Sequence, residues 1–241
     1  MTVARPRGPI VNLTPALLPS QKVLTGRTID LEKLELKHAK DLFNLVGATD
    51  AMKTSFWDYM PDGPYTKLDE FEQKITAASA SPDMFFFAVI DKRNSKPTFR
   101  KPIGYLTLMR ITPEHFTVEI GHVMFSSSLQ RTTGATEAIF LLARHAFEDL
   151  KFRRLEWKCD SLNAPSRNAA SRLGFTFEGI FKHHMVIKGR SRDTAWFAML
   201  RDEWDKGLKG VMEQWLDEGN FKEDGSQKKD LKDFKAKCKH K

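Results

Sequence analysis

The feature that most restricts this chain's fold is a change of hydrophobic period, out and back, in the middle of the sequence. Phe116–Phe125 is a strand-like run. Ala135, Ala138, Ile139, Leu142, Ala143, Ala146, Phe147 and Leu150 then recur at helical spacing. Beyond them Leu155, Trp157 and Cys159 alternate with Glu156, Lys158 and Asp160, the period of a strand. Strand, amphipathic helix and strand in succession make a βαβ unit, so the two strands are expected to be parallel.

The flanking segments add antiparallel structure. Met84–Asp91 is nearly all apolar, as in a strand buried on both faces. Pro97–Pro102 interrupts, Ile103–Ile111 resumes, and a turn at Thr112–Pro113 leads into Phe116, which reads as a meander. Val23–Leu34 reads as paired strand segments around Gly26. Leu36–Val46 reads as an amphipathic helix with Ala39, Leu42, Phe43 and Val46 on one face. Thr66 is the expected cap of a further helix, with Asp69 three residues on. Pro165–Leu173 is a short helix closed by Gly174. Phe175–Ile187 and Thr194–Leu200 are strands joined by a turn at Lys188–Arg190. Trp204, Leu208, Val211, Met212, Trp215 and Leu216 mark a last amphipathic helix, weakened by Gly207 and Gly210. The class is mixed α/β (α+β): a mostly antiparallel central sheet with one parallel pair, flanked by helices, with a C-terminal helical extension. The expected divisions are an extended arm over 1–22, one domain over 23–204, an amphipathic helix over 205–220 and a basic tail over 221–241.

Composition excludes several classes. A 241-residue chain with 41% hydrophobic and 29% charged residues is ordinary for a globular protein. Cys159 and Cys238 stand far apart, which gives neither a disulfide framework nor a metal-ligand cluster and suits a reducing compartment. The apolar run Met84–Ile90 is strand-sized, so no membrane span is expected. Met1–Pro9 is polar with no apolar core behind it, so cytosol is the expected location. The net charge of +8 suits either solubility or attraction to a polyanion such as nucleic acid or a phosphorylated cofactor. Lys228, Lys229, Lys232, Lys235, Lys237, Lys239 and Lys241 read as a solvated tail.

Two segments are candidates for function. The turn Ser126–Ala135 between strand and helix is small and polar and contains Arg131; free amides and the helix dipole there suit a pyrophosphate, although such residues also simply cap helices. The loop Thr49–Pro64 carries Met52, Phe56, Trp57, Tyr59 and Met60, which either cover a pocket or partner surface or pack into the core.

An ordered set of motifs resembles the GNAT acyltransferase superfamily, in the branch that contains ribosomal-protein-alanine N-acetyltransferases and their relatives. Val118–Glu119–Ile120–Gly121–His122–Val123 is similar to the family's "EIG" strand. Gln130–Ala138, ending Ala-Thr-Glu-Ala, is similar to its acyl-CoA loop and helix start. Arg153–Trp157, Asn163–Ala164–Pro165–Ser166–Arg167, Ala170–Phe175, Phe177–Gly179 and Arg192–Asp193–Thr194 follow in the family order, so the resemblance covers roughly residues 24–204. The family loop carries glycine where this chain has Thr133 or, shifted by one, Thr136, which either reshapes the loop or supplies a hydroxyl donor.

The resemblance implies a sheet splayed between Phe116–Phe125 and Leu155–Cys159, with acetyl-CoA in the gap and no metal. Val123, Met124 and Phe125 would pair with the pantetheine arm, and a backbone N–H there would polarise the thioester carbonyl. Gln130, Arg131, Thr132, Thr133, Gly134, Ala135 and Thr136 would hold the pyrophosphate. Asn163 would fix the arm, and Arg167 or Arg172 would approach the phosphates. Ser166 is the implied proton donor to the departing thiolate, with helix capping as the alternative. Glu119 and His122 are candidate bases on one strand, pointing to opposite faces if that strand is regular; His183 and His184 are weaker candidates, and bulk water is another acceptor. Trp57, Tyr59, Glu119 and Trp196 would shape the acceptor site, the aromatics serving equally as core. Lys151, Arg153, Arg154 and Lys158 read as a solvated basic surface, and Cys159 as buried packing rather than a nucleophile. The implied activity is transfer of an acetyl group to a primary amine of a small molecule or protein N-terminus, in a ternary complex, by a monomer or homodimer. The alternatives are a basic RNA- or ribosome-binding module, for which the sequence carries no RNP, KH or zinc-finger signature, and a non-catalytic scaffold of the same fold.

Overall fold

The change of period from strand to helix to strand is realised directly. A computed structural model describes residues 5–11 and 14–238. The start of the N-terminal arm and the ends Lys239 and Lys241 of the basic tail lie outside the described residues, as does the Cys238 side chain. Strand β5 (Thr117–Phe125) leads through helix α4 (Thr133–Arg144) into β6 (Arg154–Asp160), and the two strands run parallel. The other partners are antiparallel: β1 (Val23–Thr25), β2 (Ile29–Lys33), β3 (Phe85–Asp91), β4 (Pro102–Thr112), β7 (Thr176–Ile187) and β8 (Arg190–Leu200). Together they form one sheet in the order β1-β2-β3-β4-β5-β6-β8-β7.

Alternation along the central strands feeds two cores, one on each face. Phe87, Val89, Val118, Ile120, Leu155 and Trp157 pack with α4. Phe86, Ala88, Ile90 and Tyr105 pack with α1 (Ala39–Val46) and α3 (Leu68–Ser79) on the other face. The nearly continuous apolar run of β3 thus serves both sides, as expected of a strand covered twice.

Helix α4 is fixed to the start of the sheet by an unusual anchor. Glu137, 5% exposed, accepts from the Arg27 amide at 2.5 Å and the Thr28 amide at 2.8 Å, and also from the Thr28 hydroxyl. The helix approaches β2 so closely that a Cβ on Gly134 would stand 2.8 Å from Ile29 Cγ2. That glycine is therefore a packing requirement of the crossover helix.

Several local expectations need correction. The aromatic loop contains a short helix, α2 (Ala51–Ser55), capped by the Asp50 carboxylate, which accepts from the Lys53 amide. Helix α3 is preceded by Lys67, not Thr66, at its cap position, and no side-chain cap bond is made. Strand β8 starts at Arg190, and the turn tightens to Lys188–Gly189, with φ of 49° and 74°. Two successive left-handed residues are what a two-residue hairpin matched to the strand twist requires. The C-terminal helix is broken at Gly207 (φ 142°) into α6 (Arg201–Glu203), a wide turn over 204–208 and α7 (Lys209–Leu216). The lysine-rich end is more than a solvated tail. It forms α8 (Leu231–Cys238), in which Leu231 is buried and Lys235 Nζ donates to the carbonyls of Ser171 and Arg172. Those carbonyls close α5 (Ala164–Leu173), whose last turn attracts a cation. Among the described residues no helix is long and apolar enough to cross a membrane.

The Glu137 anchor yields a stability prediction. Glu137→Ala strands the Arg27 and Thr28 donors in a half-buried turn and should cost about 1–3 kcal/mol. Urea denaturation monitored by tryptophan fluorescence measures it; a loss below about 0.5 kcal/mol would mean that water replaces the carboxylate.

Candidate active site

The parallel pair begins in register at Thr117↔Arg154 and ends at Ile120↔Trp157. From Gly121 onward β5 keeps β4 as its neighbour, and β6 continues to Asp160 against β8. The cause lies in β5. Tyr105 faces Met124 and Thr107 faces Gly121, so Leu106 is opposed by both His122 and Val123. His122 takes the left-handed conformation (φ 46°) that such a bulge accommodates. The bulge bends β5 away from β6 and opens a wedge whose β5 wall, Gly121–Phe125, has no β6 partner.

The bulge also changes which way His122 looks. Regular alternation would set it opposite Glu119. Instead its ring lies 5.4 Å from that of Phe86, on the α1/α3 face that Glu119 also occupies. Burial, with Lys74 nearby, holds the imidazole below its ordinary value of 6.5. Its Nδ1 is buried without a partner among the described residues.

Of the expected solvated basic surface, Lys151 and Arg153 are exposed, but Arg154 and Lys158 belong to an ion network on that face that is largely covered. Lys158 Nζ lies 2.8 Å from Glu119 Oε2 and 2.6 Å from Glu156 Oε2, and the Lys158 and Glu119 side chains are each 4% exposed. Arg110 reaches the same Glu119 oxygen at 2.8 Å. Arg154 bonds Glu156 and Glu178. Burial alone would raise the Glu156 carboxyl, but hydrogen bonds from Arg154 and Lys158 bring it below its usual value. The Trp196 ring covers Lys158 at 4.0 Å. Charged residues alternating with Leu155, Trp157 and Cys159 look solvated in sequence; here the second face of β6 is covered as well.

On the α4 side, Asn163 Oδ1 caps α5 by accepting from the Ser166 amide at 3.1 Å. The Ser166 hydroxyl accepts from Trp157 Nε1 at 3.0 Å, which occupies a lone pair, and it also lies within hydrogen-bond reach of the Cys159 sulfur. Cys159 is buried and its thiol is pushed up by that burial, which removes the thiolate a covalent route needs.

At the start of α4, Thr132 caps the helix through Ala135 N, Arg131 is left-handed (φ 59°), and Gln130 Nε2 donates to the Phe125 carbonyl at 2.7 Å. Thr133 takes the first helical position and Gly134 faces inward against Ile29. Arg172 NH2 holds Thr136 Oγ1 at 2.6 Å and stacks 5.3 Å from the Trp215 ring. Arg167 donates to the Ser161 carbonyl and lies over Phe177. An unpaired strand edge, helix N-terminal amides and these arginines are a donor set that fits acetyl-CoA.

Beside the wedge lies a cavity of about 590 Å3 between the aromatic segment and the β7–β8 hairpin, lined by Tyr59, Leu162, Lys188 and Arg192 among others. Tyr59 OH donates to Leu162 O, and Lys188 Nζ to Trp57 O. The Trp57 indole is 1% exposed, packs on Tyr65 and Phe71, and donates to Val46 O, so it anchors this wall from behind. Trp196 floors the ion network, while His183 and His184 sit on β7 at the sheet edge. Lys188 and Arg192 were not singled out from sequence for the site. A turn and a strand opening, they reach the cavity only through the return of β8 beside β6.

Residues 28–176 match the acetyltransferase (GNAT) domain. The chain belongs to the GNAT acetyltransferase family. Its fold is similar to a GCN5-related N-acetyltransferase from Brucella melitensis, with TM-score 0.87 and 42% identity over 93% of this chain and 99% of that one. An uncharacterised N-acetyltransferase of Bacillus subtilis, YnaD, is 25% identical over 76% of this chain and 99% of its own length. RimL, a ribosomal L7/L12 alpha-N-protein acetyltransferase solved in complex with coenzyme A, shares the fold (TM-score 0.61, 21% identity, 75% of this chain and 99% of that one). This GNAT chain is thus an acetyl-CoA-dependent acetyltransferase, with its C-terminal helices beyond the matched range.

The ion network predicts an asymmetry. Lys158→Ala leaves two buried carboxylates facing each other and should cost about 3–5 kcal/mol. Arg110→Ala, at a side chain 44% exposed, should cost no more than about 1 kcal/mol. Equal losses in chemical denaturation would show that the network is not organised around Lys158.

Proposed function

We propose that this chain transfers an acetyl group from acetyl-CoA directly to a primary amine, of a small molecule or a protein N-terminus, with both substrates bound together. The observation that carries the reading is the wedge at Ile120/Trp157, flanked on one side by the α4 N-terminus and on the other by the Ser166 hydroxyl, which Trp157 orients. Val123, Met124 and Phe125 pair with the donor's extended arm. A β5 backbone N–H supports the carbonyl oxygen as it gains charge. Gln130, Arg131, Thr132, Thr133, Gly134, Ala135 and Thr136 take the phosphates, with Arg167 beside them, and Asn163 orients the arm by fixing the turn that carries Ser166.

In this reading the amine nitrogen bonds to the thioester carbon and the C–S bond breaks. The Ser166 hydroxyl gives its proton to the departing thiolate. His122 takes the proton lost by the amine, because the ring is kept neutral and its Nδ1 has no other commitment. Glu119 is the weaker base, since Lys158 and Arg110 both donate to its Oε2; its part is to shape the acceptor side. Tyr59 and Trp196 border that side, and Trp57 backs it.

Ser166→Ala should lower kcat about a hundredfold with little change in the KM for acetyl-CoA, measured by thiol release. An unaltered kcat would assign that proton transfer elsewhere. The neutral ring is the active form, so the rate should rise with pH through an ionisation below 6.5. His122→Gln should remove that limb and leave the later one due to the amine itself; a profile identical to the wild type would remove His122 from the mechanism.

A further inference from the structure

The cavity beside the wedge carries more positive charge than its walls can match. Lys188, Arg190 and Arg192 all line it. Among the described residues, none of the three has a carboxylate oxygen within 4.0 Å. Lys188 is held by a neutral group, the Trp57 carbonyl, and Arg192 Nε donates to Thr194 Oγ1 at 3.1 Å. Two acids share the lining, Asp58 and Asp160, and Asp160 is turned to its own loop, where Oδ1 accepts from Leu162 N at 2.9 Å. The buried Glu119 is already matched by Lys158 and Arg110.

Arg192 is half-buried, and that burial lowers its guanidinium, with Asp160 and Glu119 opposing the effect. It lines the cavity on β8, opposite Met185 of β7. A partly desolvated guanidinium with no anionic partner is the kind of group that takes a carboxylate or phosphate in a two-pronged bond. Toward the wedge stands an acid–base pair, Asp62 with Lys74. Asp62 holds Lys74 through one oxygen at 2.6 Å and keeps the other, Oδ1, buried without a partner among the described residues. Asp62 lies close enough to His122 and to Lys188 to influence the charge of both. An ammonium toward Asp62 and His122, and an anion toward Arg192 and Lys188, satisfies both ends at once.

We propose that the acceptor is a small primary amine that carries its own anionic group, a carboxylate or a phosphate, held by Arg192 with Lys188 and Arg190. The inference rests on the acetyltransferase reading of the same site. Polycationic amines are disfavoured by the same three side chains.

The test compares acceptors that differ only in the anion: free α-amino acids against their amides, O-phosphoethanolamine against ethanolamine, and spermidine as the polycation. Turnover is read by thiol release with acetyl-CoA. Binding of each amine to the full-length protein with CoA present is read by thermal shift. The anionic member of a pair should exceed its neutral partner at least about tenfold in kcat/KM and give the larger shift, and which pair responds separates carboxylate from phosphate. Arg192→Gln should raise the KM for the anionic acceptor about 10- to 100-fold and collapse the preference, and Arg192→Lys should restore part of it. Acids and amides that behave alike together with O-phosphoethanolamine and ethanolamine that behave alike in both readouts, or a preference for spermidine, would overturn the proposal. Failure of the protein to bind acetyl-CoA or CoA in isothermal titration would instead overturn the transferase reading beneath it.

Discussion

Parallel neighbours that start in register and then separate leave peptide groups facing empty space, and such groups are costly unless something pairs with them. In this protein the separation is forced by one extra residue in β5, where His122 and Val123 together oppose Leu106. The left-handed backbone at His122 takes up the extra length. The unpaired wall, the placing of Val123–Phe125 along it and the turn of His122 toward the Glu119 face all derive from that insertion. A regular β5 would close the wedge and send His122 into the α4 core.

The wedge persists because both of its sides are held independently. On the β5 side, β4 supplies a full antiparallel neighbour, and β4 is in turn held by the doubly buried β3. On the β6 side, β8 pairs along the whole strand, from Arg154↔Leu200 to Asp160↔Thr194. The apex itself is tied by charge. Lys158 spans from β6 to Glu119 on β5 just where backbone pairing ends. A buried ion pair is a weak source of net stability but a strict one in geometry, since either partner left alone is heavily penalised. Placed at the fork, it fixes how far the strands part.

The large outline was legible in the sequence because it depends on local period. The stripe Ala135–Leu150 and the alternation Leu155–Asp160 required a crossover helix between parallel strands whatever lay around them. Ser166 and Asn163 were found through the order of the family motifs, and the structure sets both at the start of α5 beside Trp157. What could not be read depends on partners distant in sequence. The His122 bulge is a mismatch in count between β4 and β5, and neither strand records it alone. Lys158 reads as solvated because nothing local announces that Trp196 covers it from β8. The cap of α3 was misplaced by one residue because Lys67 at that position carries no capping side chain. The lysine-rich end was read by charge alone, which hid the apolar pair Leu231 and Phe234 within it.

That last helix ties distant parts of the molecule into one equilibrium. Lys235 closes the end of α5, the helix that begins with the Ser166 turn. From the same helix Arg172 reaches Thr136 on the first turn of α4 and lies against Trp215 of α7. Docking of the C-terminal segment and the shape of the donor loop are therefore linked quantities. Whatever free energy docking lends to the loop, a ligand that orders the loop returns to docking in equal measure. In a chain whose matched domain ends at residue 176, α5 and the start of α4 are braced from outside that domain.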